Sequence, residues 1–332
     1  MVRKITILLL PIILLTNCSE ENSTGNNTSN LPGVWIEKAE MPIGAQEIFP
    51  AVLEGKIYVV AGLASQTQVT KHVYVYDPST DTWSRAADFP FYRHHVAIAS
   101  YNGKLYAFGG FQGIGIECVT VGEVFEYDPS TEIWTQKTSM PTARGAGGAV
   151  TYNGKIYLIG GRSIHPDINY NTVEAYDPVN DTWETLSPMP IPCLHSGYAL
   201  IGDLIYVIAG RQLDANGSET INISEMQVYS PADDEWQLLT DLPRQSSGLA
   251  AASLNGKLYA MGGEMPFGGN AEIYWENYEY DPVTNSWREV AKLLIPRHGT
   301  GAVTMGNYIY LIGGARRPAF GTTPINHAFT ID

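Results

Sequence analysis

The sequence predicts an all-β protein folded as a six-bladed β-propeller, and two repeated signals carry that prediction. Tryptophans recur at intervals of about fifty residues, at Trp35, Trp83, Trp134, Trp183, Trp236 and Trp287. A tight turn, an apolar strand and a terminal glycine also recur, at 55–62, 102–110, 153–161, 202–210, 255–263 and 307–314. Self-similarity at such a period, with four strands in each unit, is typical of propeller blades.

The repeat at residues 140–183 shows the four strands of one unit most clearly. They are expected at 145–152, 155–161, 172–176 and 182–186. Asn153 and Gly154 form the first turn, because both residues tolerate positive φ. The second strand is continuously apolar rather than alternating, which indicates that neighbouring sheets bury both of its faces.

The paired glycines, the spaced tryptophans and a third-strand Tyr-Asp-Pro turn together resemble the kelch repeat. The turn stands at 76–78, 127–129, 176–178 and 280–282, with Ser in place of Asp at 229–231. The resemblance extends over residues 33–332 and implies one closed kelch-type propeller domain.

The two ends of the chain predict how the ring closes. Residues 33–38 resemble a fourth strand but have no first three strands before them. Residues 301–305, 308–313 and 327–331 supply three strands with no fourth. The N-terminal strand is therefore expected to complete the last blade, which removes an exposed sheet edge.

The first 32 residues are predicted to lie outside the propeller. Residues 1–17 combine a basic start with an apolar core too short to span a bilayer, as in a signal peptide. The sequence ending at Cys18 resembles a bacterial lipobox, which implies lipidation of Cys18, although Asn17 departs from the usual small residue. The alternative is an ordinary secretory signal. Residues 18–32 are polar and are expected to form a flexible tether.

This N-terminal pattern implies a lipid-anchored protein of the bacterial cell envelope, in the outer membrane, on its periplasmic or surface face. The net charge of −14 argues against nucleic-acid binding. We expect a monomer that meets the membrane through its anchor alone. Cys118 and Cys193 fall in blades that are not adjacent, so we expect no disulfide between them.

Strand direction places the connections between strands two and three on one face, which we call the loop face. These connections are long and varied, at 63–71, 111–122, 162–171, 211–224, 264–277 and 315–326. Variable loops on a rigid scaffold are a common location for binding sites. Trp275 lies out of period in the fifth connection, where it could stack on a sugar or partner, or cover the blade.

Counting thirteen residues back from each second-strand tyrosine gives a set that includes Arg93, Arg144 and Arg297. Two residues further on, the corresponding set includes Glu47, His95 and His195. Residues two apart in extended chain point the same way, so all six side chains are expected at one mouth of the channel.

The kelch resemblance implies that arginines at this place line a pocket for acidic groups. The expected ligand is therefore a partner protein or an acidic glycan that bears a carboxylate. The alternative is structural, with each arginine paired to a carboxylate or carbonyl of a neighbouring blade.

No metal or other cofactor is expected. His94 should point away from His95, and no acidic residue stands at metal-ligand spacing from the histidines. The glycine pairs are not phosphate-binding loops, because no helix is predicted to follow them.

Two functions of different class follow. The favoured one is a lipid-anchored binding module that recognises a protein or glycan through its loop face. The alternative is a carbohydrate-active enzyme, such as a sialic acid mutarotase, with Glu47 as a possible acid or base. No catalytic motif is matched residue by residue, so no catalytic residue is assigned.

Overall fold

Short antiparallel strands make up the regular structure of the computed structural model, which describes residues 30–213, 220–266 and 271–332. Six four-stranded sheets are arranged as blades, so the six-bladed prediction is confirmed. The first strands of successive blades contact one another and lie innermost. Gly115–Glu117 forms a 3₁₀ turn, the one helical segment among the residues described.

Each of blades 1 to 5 is formed by strands in sequence order, and blade 6 takes its fourth strand from the N-terminal end. Blade 1 comprises Ala51–Leu53, Lys56–Ser65, Gln68–Asp77 and Thr82–Ala86; blade 2, Ala97–Tyr101, Lys104–Phe108, Val124–Asp128 and Ile133–Lys137; blade 3, Gly148–Tyr152, Lys155–Ile159, Val173–Asp177 and Thr182–Leu186. Blade 4 comprises Gly197–Ile201, Leu204–Leu213, Thr220–Ser230 and Glu235–Leu239; blade 5, Ala250–Leu254, Lys257–Met261, Asn277–Asp281 and Ser286–Glu289; blade 6, Gly301–Met305, Tyr308–Ile312, Asn326–Thr330 and Val34–Lys38.

The last blade closes as the sequence predicts. Val34–Lys38 pairs antiparallel with Asn326–Thr330, and Trp35 lies opposite Phe329. The Trp35 indole is buried, and its N–H donates to the carbonyl of Ala291 at 2.9 Å. The N-terminal strand therefore supplies both the missing ladder and an aromatic anchor.

The tryptophan period has a structural cause. Each fourth-strand indole donates its N–H to a carbonyl just beyond the fourth strand of the preceding blade. The pairs are Trp35–Ala291, Trp83–Ala39, Trp134–Ala87, Trp183–Thr138, Trp236–Ser187 and Trp287–Thr240. Because every bond joins adjacent blades, one tryptophan is needed in each repeat.

The glycine pair also joins blades. In each blade the amide of the motif's final glycine donates to a carbonyl of the next blade, as from Gly161 to Cys193 at 2.9 Å. In blades 1 and 4, Ala61 and Ala209 replace the first glycine of the pair. Gly161 has a φ of 96°, and a Cβ there would lie 2.6 Å from the Gly145 carbonyl oxygen. Glycine is required at this close approach.

The connections on the loop face are more regular than the sequence suggested. In blades 1 and 4, strands two and three continue into long hairpins. Blades 2, 3 and 5 carry separate two-residue ladders, which pair Phe111–Gln112 with Val119–Thr120, Arg162–Ser163 with Ile168–Asn169, and Glu264–Met265 with Glu272–Ile273.

The predicted signal peptide, Cys18 and the tether as far as residue 29 lie outside the described residues. Among those that are described, no helix is long and apolar enough to cross a bilayer. Cys118 and Cys193 are both buried, and neither forms a disulfide within the described part of the chain.

Replacing Trp35 with alanine tests the closure. Trp35→Ala should lower the free energy of unfolding by about 3–5 kcal/mol, because a large buried side chain is removed. Urea denaturation of the full chain, followed by circular dichroism, measures the loss. Trp275→Ala is the matched control, since that tryptophan is 47 % exposed, and it should cost about 1 kcal/mol or less. Equal losses for the two variants would contradict closure by Trp35.

Candidate functional site

A ring of backbone hydrogen bonds surrounds the propeller axis. In each blade, a residue in the segment that leads into the first strand donates its N–H to the carbonyl of the equivalent residue in the preceding blade. The N···O distances are 2.7 Å for Glu47 to Gly299, 3.2 Å for His95 to Glu47, 3.2 Å for Ala146 to His95, 3.0 Å for His195 to Ala146, 2.8 Å for Gly248 to His195 and 2.8 Å for Gly299 to Gly248. We call these six residues the axial ring.

Every axial-ring residue has a left-handed backbone, with φ between 52° and 64°. This conformation costs a non-glycine residue about 1–2 kcal/mol. At Gly299 a Cβ would also lie 2.7 Å from Glu47 Oε1, so the glycine leaves room for that carboxylate. Polar side chains held in such strained conformations are concentrated at functional sites.

Three axial-ring residues carry polar side chains that converge on the axis. His95 Nε2 lies 3.0 Å from Glu47 Oε2, and His195 Nε2 lies 3.4 Å from the same oxygen. The two Nε2 atoms are 2.9 Å apart. All three side chains are buried. Residues that are distant in sequence therefore form one contact cluster, which we call the axial triad.

His94 extends this cluster instead of pointing away from it. Its Nδ1 lies 2.5 Å from His95 Nδ1, and its Nε2 lies 3.1 Å from the Gly113 carbonyl oxygen. On the other side, Arg211 Nε donates to His195 Nδ1 at 3.4 Å. The prediction that His94 and His95 face opposite ways is therefore wrong, because the left-handed backbone at His95 breaks the extended alternation.

Burial sets the protonation of His94 and His195. Burial, aided by the charge of His95, lowers the pKa of His94 to about 3. Burial and then the charge of Arg211 lower the pKa of His195 to about 3. Both imidazoles are neutral at pH 7. Burial raises the pKa of Glu47, but its contacts with His95 and His195 outweigh this and lower it well below its usual value.

The axial triad opens into a cavity of about 250 Å³ on the loop face. Its apolar lining consists of Leu63, Phe111, Ile164, Pro266, Ala319 and Phe320. Its other charged lining residues are Arg162, Arg211 and Glu264. An apolar pocket with a few convergent charged groups is the usual form of a small-ligand site.

Sequence analysis did not single out Arg162 and Arg211. Each follows the final glycine of its blade's second-strand motif and bridges the chain next to the axial ring, opposite Gly145 and Leu194 respectively. The same bridge forms in all six blades at the residue after the motif's final glycine, and all of these residues except Ala315 line the cavity. These residues are Leu63, Phe111, Arg162, Arg211, Glu264 and Ala315. They share no residue type, so the position was recognisable only by its spacing.

The three predicted pocket arginines do not line the cavity. Arg93 and Arg297 are fully buried, and Arg144 is 4 % exposed. The prediction that they surround the channel mouth is wrong, because the positive φ two residues later breaks the extended alternation that would have pointed both side chains the same way. Their side chains pack within their own blades instead. They pair with carboxylates or carbonyls, as the structural alternative predicts.

Arg144 shows this packing most clearly. Its Nη1 lies 2.6 Å from Glu174 Oε2, and its Nη2 donates to the Leu158 carbonyl at 3.0 Å. Arg93 Nη2 lies 3.1 Å from Glu123 Oε2. Arg297 donates to the Leu311 carbonyl at 3.0 Å. The partners belong to the same blade, where a neighbouring blade had been expected.

Trp275 is 47 % exposed and lies outside the cavity lining. Its contact with a ligand stays a prediction. The expectation that no acidic residue lies near the histidines is wrong, since Glu47, His95 and His195 place ligand atoms within 4.8 Å of one another. These residues are far apart in the sequence, and the left-handed turn at each of them was not recognised. The sequence therefore did not reveal that they converge.

Comparison with known proteins agrees with this architecture. The KLHDC2/KLHL20/DRC7 Kelch-repeats domain matches residues 38–193, and the Kelch motif matches residues 246–294. The chain belongs to the kelch-repeat family. The solved structure of YjhT superposes on this kelch propeller with a TM-score of 0.76 and 18 % identity, covering 88 % of this chain and 97 % of that one.

Curated relatives give the same family. Kelch-like protein 25 of Xenopus tropicalis is 26 % identical over 84 % of this chain and 38 % of its own length. Kelch-like protein terF of Aspergillus terreus is 27 % identical over 91 % and 67 %. Kelch-like protein 23 of Homo sapiens is 30 % identical over 86 % and 40 %. The chain thus spans about two fifths of the length of these vertebrate relatives.

The buried position of Arg144 makes a testable claim. Arg144→Ala should lower the free energy of unfolding by about 3–5 kcal/mol, because it leaves Glu174 buried without its partner. The matched control is Lys155→Ala, which removes one partner of an exposed pair with Glu184 and should cost about 1 kcal/mol or less. Urea denaturation compares the two. A stable Arg144→Ala protein would contradict the structural role.

Proposed function

We propose that this kelch propeller is a lipid-anchored binding module of the bacterial envelope that holds a carboxylate-bearing ligand in its axial cavity. The observation that carries the proposal is the pair Arg162 and Arg211 at the wall of that cavity. The ligand is a protein with an exposed acidic side chain or an acidic glycan.

Arg162 and Arg211 give the cavity the positive charge that the sequence analysis predicted from Arg93, Arg144 and Arg297. A guanidinium presents a planar fork of donors that matches a carboxylate. Arg162 Nη2 lies 2.5 Å from the half-exposed Asp167, and Arg211 Nη1 lies 3.7 Å from Glu264. An incoming carboxylate competes with these carboxylates, while Phe111 and Phe320 offer apolar surface to the rest of the ligand.

The envelope location rests on the sequence of the N-terminal segment. Residues 1–17 have the pattern of a signal peptide, and Cys18 stands at the end of a lipobox-like tetrapeptide. A tether at 18–32 would let the propeller reach partners away from the bilayer surface. The loop face then needs no contact with the membrane to reach its ligand.

Removing the cavity arginine tests the ligand class. Arg211→Ala should weaken binding of acidic monosaccharides or acidic peptides by about 1.5–3 kcal/mol, the value of a charged hydrogen bond. Titration calorimetry measures this, with methyl esters of the same compounds as the uncharged comparison. The esters should bind no variant appreciably, because they lack the anionic group.

The matched control is Arg316→Ala, which removes an exposed arginine of the same loop face outside the cavity lining. Its affinity should equal that of the wild type. Equal binding of acids and esters would contradict the carboxylate proposal. A melting curve of Arg211→Ala separates lost affinity from lost fold, and Arg162→Ala provides a second variant.

The anchor has its own test. Cys18→Ala should move the protein from the membrane fraction to the soluble fraction, because it removes the acyl chains that hold it there. Cys118→Ala, which alters a buried cysteine of the propeller, should stay with the membranes. A soluble wild-type protein without acyl chains by mass spectrometry would overturn the anchor.

A sugar isomerase, such as a mutarotase for an acidic sugar, is the second candidate. Glu47 favours it, because this carboxylate lies at the cavity beside two imidazoles and could transfer protons. NMR of sialic acid anomers in the presence of the purified protein distinguishes the candidates. Faster anomer exchange that is lost in Glu47→Gln indicates the enzyme, and unchanged exchange indicates the module.

A further inference from the structure

We propose that Glu47, His95 and His195 form a binding site for one divalent transition-metal ion at the propeller axis. The site goes beyond the proposed function, because it requires neither an organic ligand nor a lipid anchor. Its donors would be one carboxylate oxygen and two imidazole Nε2 atoms.

The first step is the shape of the donor triangle. Its edges are 2.9, 3.0 and 3.4 Å. Nitrogen and oxygen ligands lie about 2.0–2.2 Å from zinc, so neighbouring ligands are separated by about 3.0 Å at right angles and about 3.4 Å at tetrahedral angles. The triad therefore has the dimensions of one face of a metal coordination polyhedron.

The second step is the hydrogen-bond pattern around His95. The Gly113 carbonyl accepts from His94 Nε2, which leaves His94 Nδ1 as an acceptor. We therefore assign the proton between the two rings to His95 Nδ1. That tautomer is the one a metal-binding His95 requires, because it directs the Nε2 lone pair towards the site of the Glu47 carboxylate oxygen 3.0 Å away. The contact with His94 therefore favours the form of His95 that could bind a metal ion.

The third step is the support behind the donors. A metal-binding imidazole usually donates its other N–H to a second group, and His94 fills that role for His95. For His195, metal binding through Nε2 places the ring proton on Nδ1. Arg211, which donates to Nδ1 in this structure, must then turn away from it. Arg211 keeps a second partner, because its Nη1 lies 3.7 Å from Glu264 Oε1. The axial ring fixes the backbone of all three donors.

The fourth step is the identity of the ion. Imidazole suits zinc, iron, copper and nickel, whereas calcium and magnesium prefer oxygen donors throughout. Three protein donors leave further coordination positions open. These positions face the 250 Å³ cavity, where a ligand or water can reach the metal.

Cobalt provides the test, since its visible absorption reports coordination directly. The full chain, purified without a histidine tag and dialysed against Co²⁺ or Zn²⁺, should retain one metal ion per chain. Glu47→Gln and His195→Ala should each weaken metal binding at least tenfold and abolish the cobalt spectrum. His298→Ala is the matched control, because His298 is a buried imidazole 3.2 Å from another buried carboxylate, Glu264.

The control should keep both the stoichiometry and the spectrum. Wild type without stoichiometric metal would overturn the site, as would ligand variants that keep the cobalt spectrum. X-ray absorption on the zinc-loaded wild type guards against misfolded variants. It should show two imidazoles in the first shell, and a shell without imidazole would also overturn the proposal.

Discussion

The closed ring of six amide–carbonyl hydrogen bonds at the axis is the constraint on which the rest of this propeller depends. Each axial-ring residue uses both its N–H and its carbonyl to hold the neighbouring blades. Buried backbone groups must be paired, and the ring pairs the N–H and carbonyl groups of its six residues where the blades converge. A left-handed backbone at every position makes that geometry possible. The same conformation turns the side chains of the ring together at the axis.

The fold was predictable because its determinants are the same in every copy. Each indole, such as that of Trp83, joins adjacent blades at one fixed place. Each final glycine of the motif, such as Gly161, donates its amide to a carbonyl of the next blade and lies too close to the chain of its own blade to admit a Cβ. A contact that must recur in six blades leaves a period in the sequence. Closure by Val34–Lys38 was predictable for the same reason. Every other blade has four strands, and the last blade lacked its fourth.

The site was only partly predictable, and the reason is local. Sequence analysis placed Glu47, His95 and His195 at the axis but assumed extended chain around them. The left-handed turn breaks that alternation, so Arg144 lies in a buried ion pair and His94 contacts the triad. Glycine at two of the six equivalent positions was a signal for positive φ. Four non-glycine residues at the other positions concealed it.

The positions that vary between blades are those that the backbone leaves free. In the axial ring, the hydrogen bonds involve only main-chain atoms, so Glu, His, Ala and Gly all support the same closure. The residue after the glycine pair is likewise held by main-chain bridging, and it can be Leu, Phe, Arg, Glu or Ala. Both sets face the cavity in at least one blade. Side-chain chemistry can therefore differ from blade to blade without altering the ring that holds the blades, which is why repetition predicts the fold and variation marks the site.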